Sequence, residues 1–113
     1  MPSPADLLPG TLELLVLKAL SLEPMHGWGL GQRLDQLSRD VFKVQQGSLY
    51  PALQRMLRKG WIRSDWRPSE HGRRARYYAR TARAARELEA QTAAWRRTAA
   101  AVDGILRVRL ADR

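Results

Sequence analysis

Residues 46–78 hold the side chains with the clearest chemical use. A short amphipathic stretch, 47–59, carries Ser48, Tyr50, Pro51, Gln54, Arg55 and Arg58, and a hairpin-like stretch follows with Arg67, Arg73, Arg74 and Arg76. Glutamine can pair with adenine through N6 and N7, and arginine can bind guanine or a phosphate. Ser48, Tyr50 and Pro51 suit sugar-phosphate or thymine-methyl contacts, although a turn-former and a packed ring would also account for Tyr50 and Pro51. Charge follows the same boundary. Residues 54–86 contain eleven Lys/Arg against two Asp/Glu, whereas the whole 113-residue chain has a formal net charge of +9. The excess therefore sits in this segment. A patch of that density attracts a polyanion and steers its approach, while an ordinary solvated surface mixes both signs. The pattern points to nucleic acid.

Other chemistry finds little support. No Ser/His/acid set, carboxylate pair or clustered metal ligands stands at a credible site, so neither an enzyme nor a cofactor or metal is expected. The chain has no cysteine, which excludes disulfides and thiolate ligands and fits a reducing compartment. Residues 1–6 lack the basic start and apolar core of a signal peptide. The apolar run 12–20 contains Glu13 and Lys18 and is too short to span a bilayer. A cytoplasmic location is the expectation.

The remaining elements must position the basic segment. Thr11 is placed to cap a first helix to about Leu22, with Glu13 facing the positive end of its dipole. That helix is apolar nearly all round, so it should be the most buried element, with Leu12 available to a second chain. A second helix is expected from about His26 to Arg39, with Leu30, Leu34 and Leu37 on one face. The glycines of 27–31 are not a dinucleotide loop, because no strand precedes them; they suit close approach of two helices. His26 reads as a capping or packing group. Ser48 should cap the third helix, with Pro51 in its first turn and Gly60 ending it in a left-handed conformation. Period-two alternation then marks strands around Ile62–Trp66 and Arg76–Tyr78, joined by the turn cluster 68–72. Thr81 should cap a last helix reaching about Leu110. Its small and apolar positions Ala85, Leu88, Thr92, Trp95, Ala99, Val102 and Leu106 follow an a/d spacing. Thirty helical residues span roughly 45 Å, far beyond the ~13 Å radius of gyration of such a domain. That seam needs a second copy.

The fold class is therefore mainly α with a small β-hairpin: a winged helix-turn-helix plus a long C-terminal dimerisation helix. Residues 1–80 form the expected DNA-binding domain and 81–113 the dimerisation helix, with Leu12, Leu88, Trp95, Ala99, Val102 and Leu106 at the interface.

Residues 8–17, 25–30 and 47–53, together with Gly60-Trp61-Ile62, the 72–78 wing and Thr81, resemble the PadR family of bacterial transcriptional regulators. The similarity covers nearly the whole chain, and Gly47-Ser48-Leu49-Tyr50-Pro51 with Tyr77-Tyr78 is a specific combination. The resemblance implies a compact homodimer, usually a repressor that leaves its pseudo-palindromic double-stranded DNA operator when a small molecule binds. Arg80 stands where many relatives have leucine and Ala84 where glycine is common, which favours a more continuous, more basic start to the last helix. Compact members that bind flat aromatic molecules line a central pocket with tryptophans, so Trp95 is the candidate effector residue; the alternative is a large interface side chain. A protein-interaction module for an acidic partner is the other reading of the whole. RNA is disfavoured because no exposed aromatic platform is evident.

Overall fold

The computed structural model describes residues 10–112. Helix α1 spans Thr11–Leu22 and lies at the centre of the core, with Val16, Leu17 and Ala19 fully buried. Its cap differs from expectation. Gly10, left-handed at φ 85°, takes the N-cap position without a side-chain bond, and Thr11 becomes the first helical residue. Gly10 reaches this conformation without a Cβ penalty. Leu12 is only 9% exposed within its own domain's core, which leaves it little surface for a partner.

Strand β1 is the two-residue segment Met25–His26, and helix α2 follows at Gly27–Leu37. His26 caps α2 as its Nδ1 accepts the Gly29 N–H at 3.0 Å. The helix stops short of Arg39 because Arg39 and Asp40 are left-handed, at φ 53° and 63°. Leu30 and Leu34 are buried, but Leu37 at the terminus is exposed and leaves the expected apolar face. The loop beyond is pinned by Asp35 Oδ1, which accepts the Val44 N–H at 2.8 Å.

Helix α3 runs Gln46–Lys59. It starts three residues earlier than a cap at Ser48 would give, with extended Gln45 as the N-cap. Ser48 therefore sits in the first turn, donating its N–H to Gln45 O at 3.0 Å. Pro51 consequently falls in the second turn, where it removes the bond that would reach the carbonyl of exposed Gly47. Leu49, Ala52, Leu53 and Met56 form the buried stripe. A Cβ on Gly31 would lie 3.0 Å from the Gln46 side chain, and one on Gly27 would lie 3.3 Å from Tyr50 Oη. Those two glycines let α2 and α3 approach closely, as their positions in the sequence suggested. Gly60 closes α3 at φ 76°, and the Trp61 N–H reaches back to Met56 O at 3.1 Å.

The wing is strands β2, Ile62–Pro68, and β3, Arg74–Arg80, antiparallel and in register from Ile62↔Arg80 to Pro68↔Arg74. β1 adds a third strand on the other side of β3, pairing Met25 with Tyr78 and His26 with Tyr77. Thr81 does not cap the last helix. Its Oγ1 donates toward the carbonyls of Gly60 at 2.8 Å and Trp61 at 3.1 Å, clasping the wing's exit to the end of α3. Helix α4 instead begins at Ala84 and ends at Leu106, about 35 Å at 1.5 Å per residue, before a short 3-10 turn, Leu110–Asp112. Ala84 is buried and Leu88 packs against the core; beyond them the helix is largely exposed. The described chain is accordingly elongated, 63 × 37 × 21 Å.

Candidate nucleic-acid interface

The buried stripe of α3 fixes what its other face must present. With Leu49, Leu53 and Met56 in the core, 3.6-residue periodicity turns Ser48, Tyr50, Pro51, Gln54, Arg55 and Arg58 outward, and all six are exposed. Among the described residues, Ser48, Gln54 and Arg58 spend no side-chain hydrogen bond within the chain. Tyr50 leans over Gly27, so its hydroxyl sits where α2 and α3 meet.

Arg55 has a different environment from its neighbours. Its Nε donates to Glu13 Oε1 at 2.8 Å, and Lys59 Nζ lies 3.4 Å from Glu13 Oε2. Glu13 is the one charged side chain among the buried described residues, at 7% exposure. The sequence assigned Glu13 to the dipole of its own helix; the fold also makes it the fastening between core helix α1 and the exposed helix α3. Lys59 lies 4.4 Å over the Trp61 ring as well, tying the end of α3 to the base of the wing.

The wing has two unlike faces. Ile62, Ser64, Trp66 and Pro68 share a face with Tyr78, Arg76 and Arg74, because directly paired residues in an antiparallel ladder point the same way. Ile62 and Tyr78 are buried in the core that holds α3. Burial pushes the Tyr78 hydroxyl above the ordinary tyrosine value, with Arg76 opposing that shift and Tyr50 adding to it. Toward the tip, the guanidiniums of Arg74 and Arg76 each lie 5.8 Å from the Trp66 ring centre, and Arg76 Nε donates to Ser64 Oγ at 2.9 Å. The opposite face carries Arg67, which pairs with Asp65 at 3.1 Å and lies 5.6 Å over Tyr77. Tyr77 in turn meets His26 edge-on at 5.4 Å. The sequence suggested no partners for these arginines, and three of the four have them: register supplies the contacts. Arg73 stands exposed in the turn, where Gly72 adopts φ 79° and Ser69 N–H bonds Arg73 O at 2.6 Å. Trp66 and Trp28 are exposed aromatics, as are Tyr50 and Trp95.

On α4, Trp95, Val102 and Leu106 are exposed, and Leu88 and Ala99 are partly covered. Trp95 borders a groove of about 350 Å³ between the start of α1 and the middle of α4, lined also by Thr11, Leu14, Gln91, Ala94 and Thr98. No cluster of metal-binding side chains occurs among the described residues, nor a helix long and apolar enough to cross a membrane.

The pattern of the Transcriptional regulator PadR-like family matches residues 16–90, about two-thirds of the chain, with all of α3 and the wing and most of the core. The protein belongs to this family of transcriptional regulators, which are not enzymes. Among solved structures, a Streptococcus transcriptional regulator is 29% identical at a TM-score of 0.76, covering 91% of this chain and 99% of its own. A PadR-like regulator from Bacillus cereus is 28% identical at a TM-score of 0.75, covering 88% and 95%. A regulator from Clostridium thermocellum, 18% identical, shares the fold at a TM-score of 0.82 over 94% of this chain and all of that one. No curated protein matches the chain.

Proposed function

We propose that this regulator is a cytoplasmic homodimeric repressor that binds a pseudo-palindromic operator and is released by a small molecule. The observation that carries the reading is the exposed polar face of α3, from Ser48 to Arg58, standing beside an arginine wing in a chain of the PadR-like family. The N-terminal turns of α3 would enter the major groove, with Gln54 and Arg58 toward base edges or phosphate and Ser48, Tyr50 and Pro51 at the groove wall. Arg55 would first have to leave Glu13. Arg73, Arg74 and Arg76 would lie along the backbone or minor groove, and Arg67 would add neutralisation from the wing's far face.

In this reading the chain divides near residue 80 into the DNA-reading domain, 1–80, and the dimerisation helix, 81–113. Leu88, Trp95, Ala99, Val102 and Leu106 would meet their counterparts on a second copy, because an exposed row of this kind favours burial. The groove beside Trp95 is the place for a flat aromatic effector, closed by the partner's α4. The test is fluorescence anisotropy of the gene's own upstream region against scrambled duplex over a salt series. The reading expects tighter binding to the upstream region at every salt concentration. A steep salt slope without sequence preference would leave only electrostatic attraction to an acidic partner.

A further inference from the structure

We propose that Trp66 is a positioning residue of the wing: its ring holds Arg74 and Arg76 as one stacked unit that enters an A·T-rich minor groove beside the segment read by α3. The inference rests on the reading of α3 as the major-groove element and adds to it a second, separate source of sequence preference.

Three observations converge on the ring. Trp66 is 56% exposed and lies outside the core, so packing does not explain a residue of this size at the wing's outer half. Arg76 is its direct cross-strand partner and Arg74 lies two residues nearer the tip, with both guanidiniums 5.8 Å from its centre, inside the range of a cation–π contact. Ser64 Oγ accepts from Arg76 Nε at 2.9 Å, which fixes one edge of that guanidinium and leaves its terminal nitrogens to point away. The stack shares its sheet face with Ile62 and Tyr78, the residues that join the wing to the core around α3. The other wing arginine with a fixed contact, Arg67, sits on the opposite face and is neutralised by Asp65. The wing thus concentrates its uncompensated, pre-oriented charge on one side.

A pre-oriented guanidinium is worth more in a narrow groove than a mobile one, because less side-chain freedom is lost on binding. A·T tracts narrow the minor groove and deepen its negative potential, and the guanine N2 amino group obstructs entry. Without the Trp66 ring, the arginines keep their charge and lose their aim.

The experiment starts from duplexes selected out of a random pool by the wild-type protein. Within the selected site, the flanking A·T pairs are replaced by 2,6-diaminopurine·T, which adds the minor-groove amino group and leaves the major groove unaltered. Wild type should select A·T pairs outside the α3 half-site and lose about tenfold in affinity on this replacement. Trp66→Ala should bind the unmodified duplex about tenfold more weakly, become indifferent to diaminopurine, and keep its salt slope. Trp66→Phe should retain the discrimination, and Arg76→Ala should lower the salt slope by about one. Unchanged circular dichroism confirms that the variants fold. A selected flank without A·T preference, or a Trp66→Ala protein that still discriminates diaminopurine, overturns the role given to Trp66 while α3 keeps its half-site. Selection of no sequence at all would instead remove the DNA-reading function on which it rests.

Discussion

Replacing Glu13 with glutamine tests how the core aims the exposed helix. The carboxylate is buried on α1 and accepts from Arg55 at 2.8 Å and Lys59 at 3.4 Å, both on α3. A hydrogen bond to a charged group contributes about 1.5–3 kcal/mol, and a glutamine oxygen would keep about half of the Arg55 bond. Lys59 is long-range and about half exposed, so its share is small, on the order of a few tenths of a kcal/mol. Neither cation is stranded, because the Arg55 and Lys59 side chains are 46% and 47% exposed and can turn to water. The cost therefore stays near 1–1.5 kcal/mol, well short of the roughly 3–5 kcal/mol for breaking a fully buried pair. In a domain of this size that lowers Tm by about 4–10 °C. The Arg55→Gln partner completes a double-mutant cycle whose coupling should be about 1 kcal/mol. Binding carries the second readout. A freed Arg55 and Lys59 should strengthen binding to scrambled duplex, while a less firmly held α3 weakens the preferred sequence, so the ratio of the two falls. Thermal unfolding followed at 222 nm and anisotropy on both duplexes supply the numbers. A coupling energy near zero together with an unchanged specificity ratio would refute the role assigned to Glu13.

Three further outcomes follow from the same geometry. Gly60→Ala forces a Cβ into φ 76° and should destabilise the fold by about 1–2 kcal/mol in chemical denaturation, whereas Gly47→Ala, at an exposed helical site with open space around it, should be neutral or mildly stabilising. Burial raises the Tyr78 hydroxyl above its ordinary value of 10.0, so its contribution is complete below that value and is lost as pH rises through the folded pKa. Stability should therefore fall at alkaline pH, and Tyr78→Phe should flatten that part of the profile; an identical alkaline slope in the variant would contradict it. Planar cationic dyes should quench tryptophan fluorescence through Trp95, with Trp95→Ala removing the response. Absence of quenching across a broad panel would leave Trp95 as an interface side chain.

The sequence revealed elements whose cause is local and concealed those whose cause is distant. Gly60 and His26 were legible because a left-handed helix exit and a helix-start imidazole depend on a few adjacent residues. Thr11, Ser48 and Thr81 were each plausible caps, and each lost that place to something the local pattern does not contain. Gly10 turns the chain one residue before Thr11, Gln45 opens α3 before Ser48, and Thr81 is drawn to the carbonyls of Gly60 and Trp61 across the base of the wing. Strand β1 is two residues long, too short to carry a period, and exists only because β3 offers it an edge. The exposed face of α3 was readable from its apolar stripe. The engagement of Arg55 by Glu13, 42 positions away, was not. Nor was the division of the wing arginines, because one residue of register decides which side of the sheet each one occupies.

Whether two copies of α3 read DNA through a two-fold is decided by the sequence that the wild-type protein selects from random duplex. Two inverted copies of one short half-site are expected, with centres about one helical turn, 10–10.5 base pairs, or a multiple of it apart. Arg58→Ala or Gln54→Ala should weaken both copies equally. A single unrepeated site, or a pool with no consensus at all, would contradict it.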